Sequence, residues 1–97
     1  MKQYIRAEEY DADEAFSGDV NSRRKWARST NSEELLGIYC YDPDDRVRES
    51  AACNINTPRE GIELLAKDGS YNVSNAAKRT LKYQEIIEKH KRSWGEE

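Results

Sequence analysis

A cluster of basic residues around one tryptophan is the most conspicuous candidate binding site in this sequence. Arg23, Arg24, Lys25 and Arg28 surround Trp26 in the stretch NSRRKWARS. Such a cluster could bind nucleic-acid phosphates through its cations and stack a base on the indole ring. The alternative is a solvated helix face with Trp26 packed inward. The acidic overall balance favours this alternative, because the formal net charge is −3.

Residues that could perform catalysis are few, and their positions do not suggest an active site. Cys40 and Cys53 are the only thiols, and the single histidine, His90, lies in a charged stretch far from both. The adjacent carboxylates Asp44 and Asp45 are explained by a turn and by the positive end of a helix dipole. No phosphate loop, nucleophile elbow or metal-ligand spacing is present. We therefore expect a protein without enzymatic activity, cofactor or metal.

Length and composition predict a small, marginally stable domain. Leu, Ile, Val and Phe together account for only 15 of 97 residues, a low fraction for a globular domain. The N-terminal stretch MKQYIRAEEYDADEAF has no apolar signal region, and no run approaches the ~18 apolar residues that span a membrane. Two cysteines are too few for a disulfide scaffold. These features predict a cytoplasmic protein with no membrane partner.

The stretch NINTPREGIELLAKD has the pattern of a short helix with defined ends. Thr57 is suited to cap the free N–H groups of the first turn, with Pro58 at the first helical position. Glu60 completes a capping box. Lys67 lies in the expected last turn, and Gly69 is able to adopt a left-handed conformation that ends the helix. The pattern predicts a helix of roughly ten residues.

This pattern occurs twice, which indicates an internal repeat. The two copies are offset by 26 residues, or by 25 upstream of the helix cap, so the second copy is one residue longer. Each unit contains a turn, a capped helix, an Asp turn and a second short helix. The aligned pairs are Arg23 with Arg48, Ala27 with Ala52, Asn31 with Thr57, Glu34 with Glu60, Leu36 with Ile62, Ile38 with Leu64, Tyr39 with Leu65, Cys40 with Ala66, Asp42 with Asp68, and Val47 with Val73.

The second copy, DPDDRVRESAACNINTPREGIELLAKD, resembles the variant leucine-rich repeat family, one of the HEAT-like α-solenoids. The resemblance covers roughly residues 19–81. It implies alternating α and short or 3₁₀ helices in a right-handed superhelix. Two departures are Ile55, where the family usually has a second proline, and STNS, which replaces the Asn-x-Asn-Thr-Pro element in the first copy. Some relatives carry an iron–sulfur cluster, but this chain lacks the cysteine-rich segment.

The repeat offers two interpretations of its arginines. Arg23 and Arg48 could form a ladder of guanidinium groups that faces a partner, or each could bridge to an Asp turn or carbonyl of the neighbouring unit. Tyr41 and Tyr71 flank the Asp turns and are expected to be exposed, and tyrosine is enriched at protein interfaces. By contrast, Tyr39 and Cys40 are expected in the core. The candidate partner surface is therefore Arg23, Arg24, Lys25, Tyr41, Arg48 and Tyr71.

These observations predict an all-α, single-domain protein: a short right-handed α-solenoid of about two and a half repeats. Its expected function is a non-enzymatic protein–protein interaction module, either an adaptor or an inhibitor. Dimerisation is a further way to cover exposed apolar ends. The alternative is a nucleic-acid-associated protein that uses the Arg23–Arg28 cluster and the C-terminal helix. The expected parts of the domain (1–97) are an acidic N-terminal segment (1–19), helical repeats (20–71) and a C-terminal capping helix (72–94).

Overall fold

The computed structural model describes the backbone of residues 12–95 and the side chains of residues 12–91. Within this part of the chain all regular structure is helical, which confirms the predicted all-α class. The stretch QYIRA, for which the sequence allows a short extended piece, lies outside the described residues. The six helices are α1 (Ala12–Ala15), α2 (Val20–Ser29), α3 (Glu33–Tyr39), α4 (Asp45–Ala52), α5 (Arg59–Leu65) and α6 (Tyr71–Gly95).

The helices alternate between two rows. In one row α2 packs against α4, and α4 packs against α6. In the other row α1 contacts α2, α3 contacts α2 and α4, and α5 contacts α4 and α6. The core between the rows is small and rich in alanine, and its largest fully buried side chains include Tyr39, Leu35, Leu36, Ile62 and Leu65. Tyr39 and Cys40 are both buried, as the sequence predicts.

Side-chain caps define where three of the six described helices begin, namely α2, α3 and α4. Asp19 accepts a hydrogen bond from the Asn21 N–H, and Asp44 accepts one from the Arg46 N–H. Each satisfies a donor that has no partner within its own helix. At α3 the cap is Ser32, one residue after the Asn31 that the repeat alignment predicts. At the offset of 26, Ser32 corresponds to Pro58, which is the cap position of α5, so the two helices begin at equivalent positions.

The predicted start and end of α5 are wrong. Thr57 does not cap the helix: its side chain is buried, and its hydroxyl donates to the Ala51 carbonyl at 2.7 Å. Pro58, with φ −55° and ψ 145°, occupies the cap position without a side-chain hydrogen bond. A buried hydroxyl must find its partner inside the protein, whereas water can satisfy exposed N–H groups at a helix start. Gly69 has no positive φ, so α5 ends at Leu65 without a left-handed glycine.

The terminal parts of the prediction also differ in detail. The acidic N-terminal segment contains α1, a single helical turn whose Ala15 is fully buried. The C-terminal helix begins at Tyr71, one residue before the predicted start. Its first half packs against α4 and α5 through Val73, Ala76 and Ala77. From Glu85 to Lys91 every residue is exposed, so this half of α6 extends past the core.

Candidate interaction surfaces

Arg23 and Arg48, the repeat-equivalent arginines, each connect two successive turns. Arg23 Nε lies 2.8 Å from Asp42 Oδ2, and Arg48 Nε lies 2.8 Å from Asp68 Oδ2. The second guanidinium arm donates to the Ser17 carbonyl in one unit and to the Asp42 carbonyl in the other, both at 2.7 Å. The side chains of Arg23 and Arg48 are only 14% and 21% exposed. The guanidinium donors of these two residues are therefore directed at the turns before and after their own helices.

The electrostatics of these pairs follow from their geometry. The hydrogen bond with Asp42 raises the pKa of Arg23, and the one with Asp68 raises the pKa of Arg48. Burial alone would raise the pKa of Asp68, but hydrogen bonds from Arg48 and from the Ser70 N–H more than offset this and lower it. All three groups therefore stay ionised at neutral pH and hold the turns together through charge-assisted bonds.

A second set of repeated contacts lies at the opposite ends of the helices, and sequence reasoning missed it. The Asn54 amide donates to the carbonyls of Ala27 at 3.0 Å and Thr30 at 2.8 Å. Thr80, which lies 26 residues later, donates to the Ala52 carbonyl at 2.6 Å. Ala27 and Ala52 are themselves a repeat-equivalent pair, so the alignment contained the signal. These buried bonds bind each unit to the carbonyl end of the preceding one.

The remaining members of the basic cluster have a different environment from Arg23. Arg24 and Lys25 line a shallow groove of about 290 Å³ between α2 and α4, together with Asn21, Arg28 and Ser50. Trp26 is half-buried against the core, and its Nε1 donates to a carboxylate oxygen of α1 at 3.1 Å. The indole ring therefore packs inward, as the alternative interpretation of the cluster expects.

A second groove on the same row of helices was not predicted. It lies between α4 and α6, has a volume of about 440 Å³, and is bordered by Cys53 at the end of α4. Two cationic side chains and one aromatic side chain of α6 line this groove. The complete lining is Cys53, Arg79, Thr80, Lys82, Tyr83 and Ile86.

The predicted tyrosines are exposed, and apolar side chains accompany them. Tyr41 and Tyr71 are each 76% exposed beside the two Asp turns. On the row formed by α1, α3 and α5, the repeat-equivalent residues Ile38 and Leu64 are 52% and 42% exposed. Phe16, which lies 25 residues before Tyr41, is also exposed. Ile38 and Leu64 are thus exposed apolar residues at equivalent positions of the two copies.

The two thiols differ in their surroundings. Cys40 is buried beside α5, and burial raises its pKa to about 11. Cys53 is exposed. Within the described residues there is no group of three potential metal ligands. The described helices also include none with the length and apolar character required to cross a membrane.

Comparisons with known proteins find no match among family models, curated proteins or solved structures.

Proposed function

We propose that this protein is a non-enzymatic protein–protein interaction module, built as a short right-handed α-solenoid with α6 as its terminal helix. The observation that carries this proposal is the recurrence of exposed apolar residues at equivalent positions of successive units. We call Ile38, Tyr41 and Leu64 the apolar strip. Single exposed apolar side chains are common on protein surfaces, but repetition at a fixed period indicates a continuous surface.

The apolar strip lies near a close contact between α5 and the end of α3. A Cβ atom placed on Gly61 of α5 would lie 2.9 Å from Sγ of Cys40, the residue that follows α3. Ile38 and Leu64 occupy equivalent positions on these two helices. Large apolar side chains that lie together can act as the desolvated centre of an interface.

Acidic residues border the strip. Glu34 and Glu60, another repeat-equivalent pair, are exposed on α3 and α5 beside Ile38 and Leu64. An apolar centre with a charged rim is the usual arrangement of a protein interface. The complementary partner is a protein with an apolar patch surrounded by basic residues, because opposite charges at the rim steer the encounter.

The proposal can be tested by affinity capture from the native host with a matched pair of variants. Ile38→Ser/Leu64→Ser removes two large apolar side chains from the strip. Ile86→Ser/Ile87→Ser removes the same chemistry from the exposed half of α6 and serves as the control. We expect the wild type and the control to retain one protein after nuclease treatment, and the strip variant to lose it.

The captured protein is then purified and titrated by calorimetry. We expect a negative heat-capacity change from burial of apolar surface, and an affinity at least tenfold weaker for the strip variant. Equal affinities of the strip variant and the wild type would show that the apolar strip is not the docking surface. Loss of capture after nuclease treatment would contradict a protein partner.

A further inference from the structure

Charge is distributed unequally between the two rows of helices. α2 carries four cations and no acidic residue, and α6 carries only basic charges as far as Gln84. In the other row, α1 and α3 carry only acidic charges. A protein with a formal net charge of −3 thus has one distinctly basic row. Such a concentration of like charge destabilises the folded state unless an anion approaches it.

Five cations that line the two grooves of this basic row form no ion pair with any described residue, whereas Arg23, Arg46, Arg48 and Arg59 each form one. Arg24 also has a buried Nε that meets no hydrogen-bond acceptor among the described residues. It lies one helical turn from Arg28, and like charges at this spacing repel. The five groove cations are Arg24, Lys25, Arg28, Arg79 and Lys82.

The two grooves lie on the two flanks of α4. Ser50 of α4 lines the groove shared with α2, and Cys53, which directly follows α4, lines the groove shared with α6. Asp45 and Glu49, the acidic residues of α4, line neither groove. With interaxial distances of about 8–10 Å, the path from α2 across α4 to α6 is about 20 Å long. A site of this length requires an extended anion.

Tyr83 indicates which class of extended anion this site can bind. It is 61% exposed and lines the second groove beside Arg79 and Lys82. An exposed aromatic ring next to cations is suited to stack an unpaired base whose phosphates the cations bind. The bases of a duplex are stacked on each other, and aspartate and glutamate side chains have no flat ring to stack.

From these observations we propose that the row formed by α2, α4 and α6 binds single-stranded nucleic acid. The strand crosses α4, with its phosphates on the five groove cations and one base on Tyr83. Arg23 takes no part, because Asp42 holds its guanidinium. This basic site is separate from the apolar strip and does not depend on the protein-partner proposal.

Binding can be measured by fluorescence anisotropy with a labelled 12-nucleotide oligothymidylate. Five phosphate contacts on a single strand predict a slope of about −3.5 for log K against log salt, or about a 100-fold loss between 50 and 200 mM salt. Arg24→Gln/Lys25→Gln/Arg28→Gln should reduce the slope to about −1.5. Tyr83→Leu should weaken binding roughly tenfold with little change in slope.

The control variant is Lys67→Gln/Lys89→Gln/Lys91→Gln, which changes the net charge by the same amount at exposed cations outside both grooves. It should retain at least half of the wild-type affinity. Circular dichroism melting of every variant establishes that the fold is intact. The proposal fails if the control and the α2 variant lose affinity equally, or if the wild type does not bind at 50 mM salt. It also fails if a 12-base-pair duplex or polyglutamate binds more tightly than the oligothymidylate.

Discussion

Arg48 Nε lies 2.8 Å from Oδ2 of Asp68, twenty residues later in the chain. The same contact joins Arg23 to Asp42 one unit earlier. Because each arginine also binds the carbonyl that precedes its own helix, it fixes the distance between two successive turns. α6 carries Ser74 at the corresponding position. The Arg–Asp pair is thus the contact that sets the spacing of the units.

Replacing Arg48 should therefore destabilise the protein more than replacing its neighbour Arg46. Arg48→Gln leaves the largely buried Asp68 carboxylate without its cation, and we expect a loss of about 1–3 kcal/mol in unfolding free energy. Arg46 pairs with Asp44 at the surface, with a side chain 57% exposed. Arg46→Gln removes the same charge and should cost clearly less, because solvent screens an exposed ion pair. Urea unfolding at pH 7 measures both, and equal losses would contradict the assigned role of Arg48.

The Arg48–Asp68 pair should also make stability depend on acid pH. The pKa of Asp68 is below its ordinary value of 3.8 in the folded protein. Its contribution is therefore fully present above pH ~4 and is lost as the pH falls through the folded-state value. Asp68→Asn lacks this titration, so the difference in unfolding free energy between wild type and variant should shrink below pH 4. Urea titrations from pH 7 to pH 2.5 test this, and a constant difference would exclude the linkage.

Asn54 and Asn56 provide a test of the contacts at the other ends of the helices. Asn54 is 6% exposed and donates to backbone carbonyls of the preceding unit, whereas Asn56 is exposed and donates to Asn31. Asn54→Ala leaves buried carbonyls without a donor and should cost about 2–3 kcal/mol. Asn56→Ala should cost less than about 0.5 kcal/mol. Thermal or urea unfolding ranks the two variants, and similar stabilities would show that the buried amide is not a major contact.

The close approach of Cys40 to Gly61 predicts that a substitution at one of these positions offsets the effect of a substitution at the other. Gly61→Ala places a Cβ 2.9 Å from Cys40 Sγ and 3.3 Å from Thr57 Cγ2, so the neighbouring side chains must shift. We expect this clash to cancel the gain of about 1 kcal/mol that alanine normally brings to a helix. Cys40→Ala removes the sulfur that the new Cβ would contact. The unfolding free energy of the double variant should therefore be higher than the sum of the two single changes predicts. A double-mutant cycle measures this coupling, and its absence would argue against the close packing.

The sequence alone indicated the helical class and the helices from α2 onward, but both caps that it predicted, Asn31 and Thr57, lie one residue before the observed cap positions. Asp44 before a helical stretch and Ser32 near the expected cap of α3 are local signals, because a cap depends only on residues two or three positions away. The burial of Tyr39 and Cys40 followed from their alignment with Leu65 and Ala66. The alignment places Arg23 and Arg48 at equivalent positions. The sequence alone does not decide whether they face a partner or bridge to a neighbouring turn.

Only the tertiary structure decided what the polar side chains contact. Thr57 has the sequence features of a cap, yet its burial against α4 directs its hydroxyl to Ala51. The partner of Arg48 lies twenty residues away, so no local pattern could choose between Asp68 and a free, partner-facing guanidinium. Helix packing also decides that Arg23 pairs with Asp42 whereas Arg24 lines a groove. It likewise places the cations of α2 and α6 in grooves on the two flanks of α4. Local capping acts within a few residues, whereas the contacts of these charges arise only when distant helices are brought together.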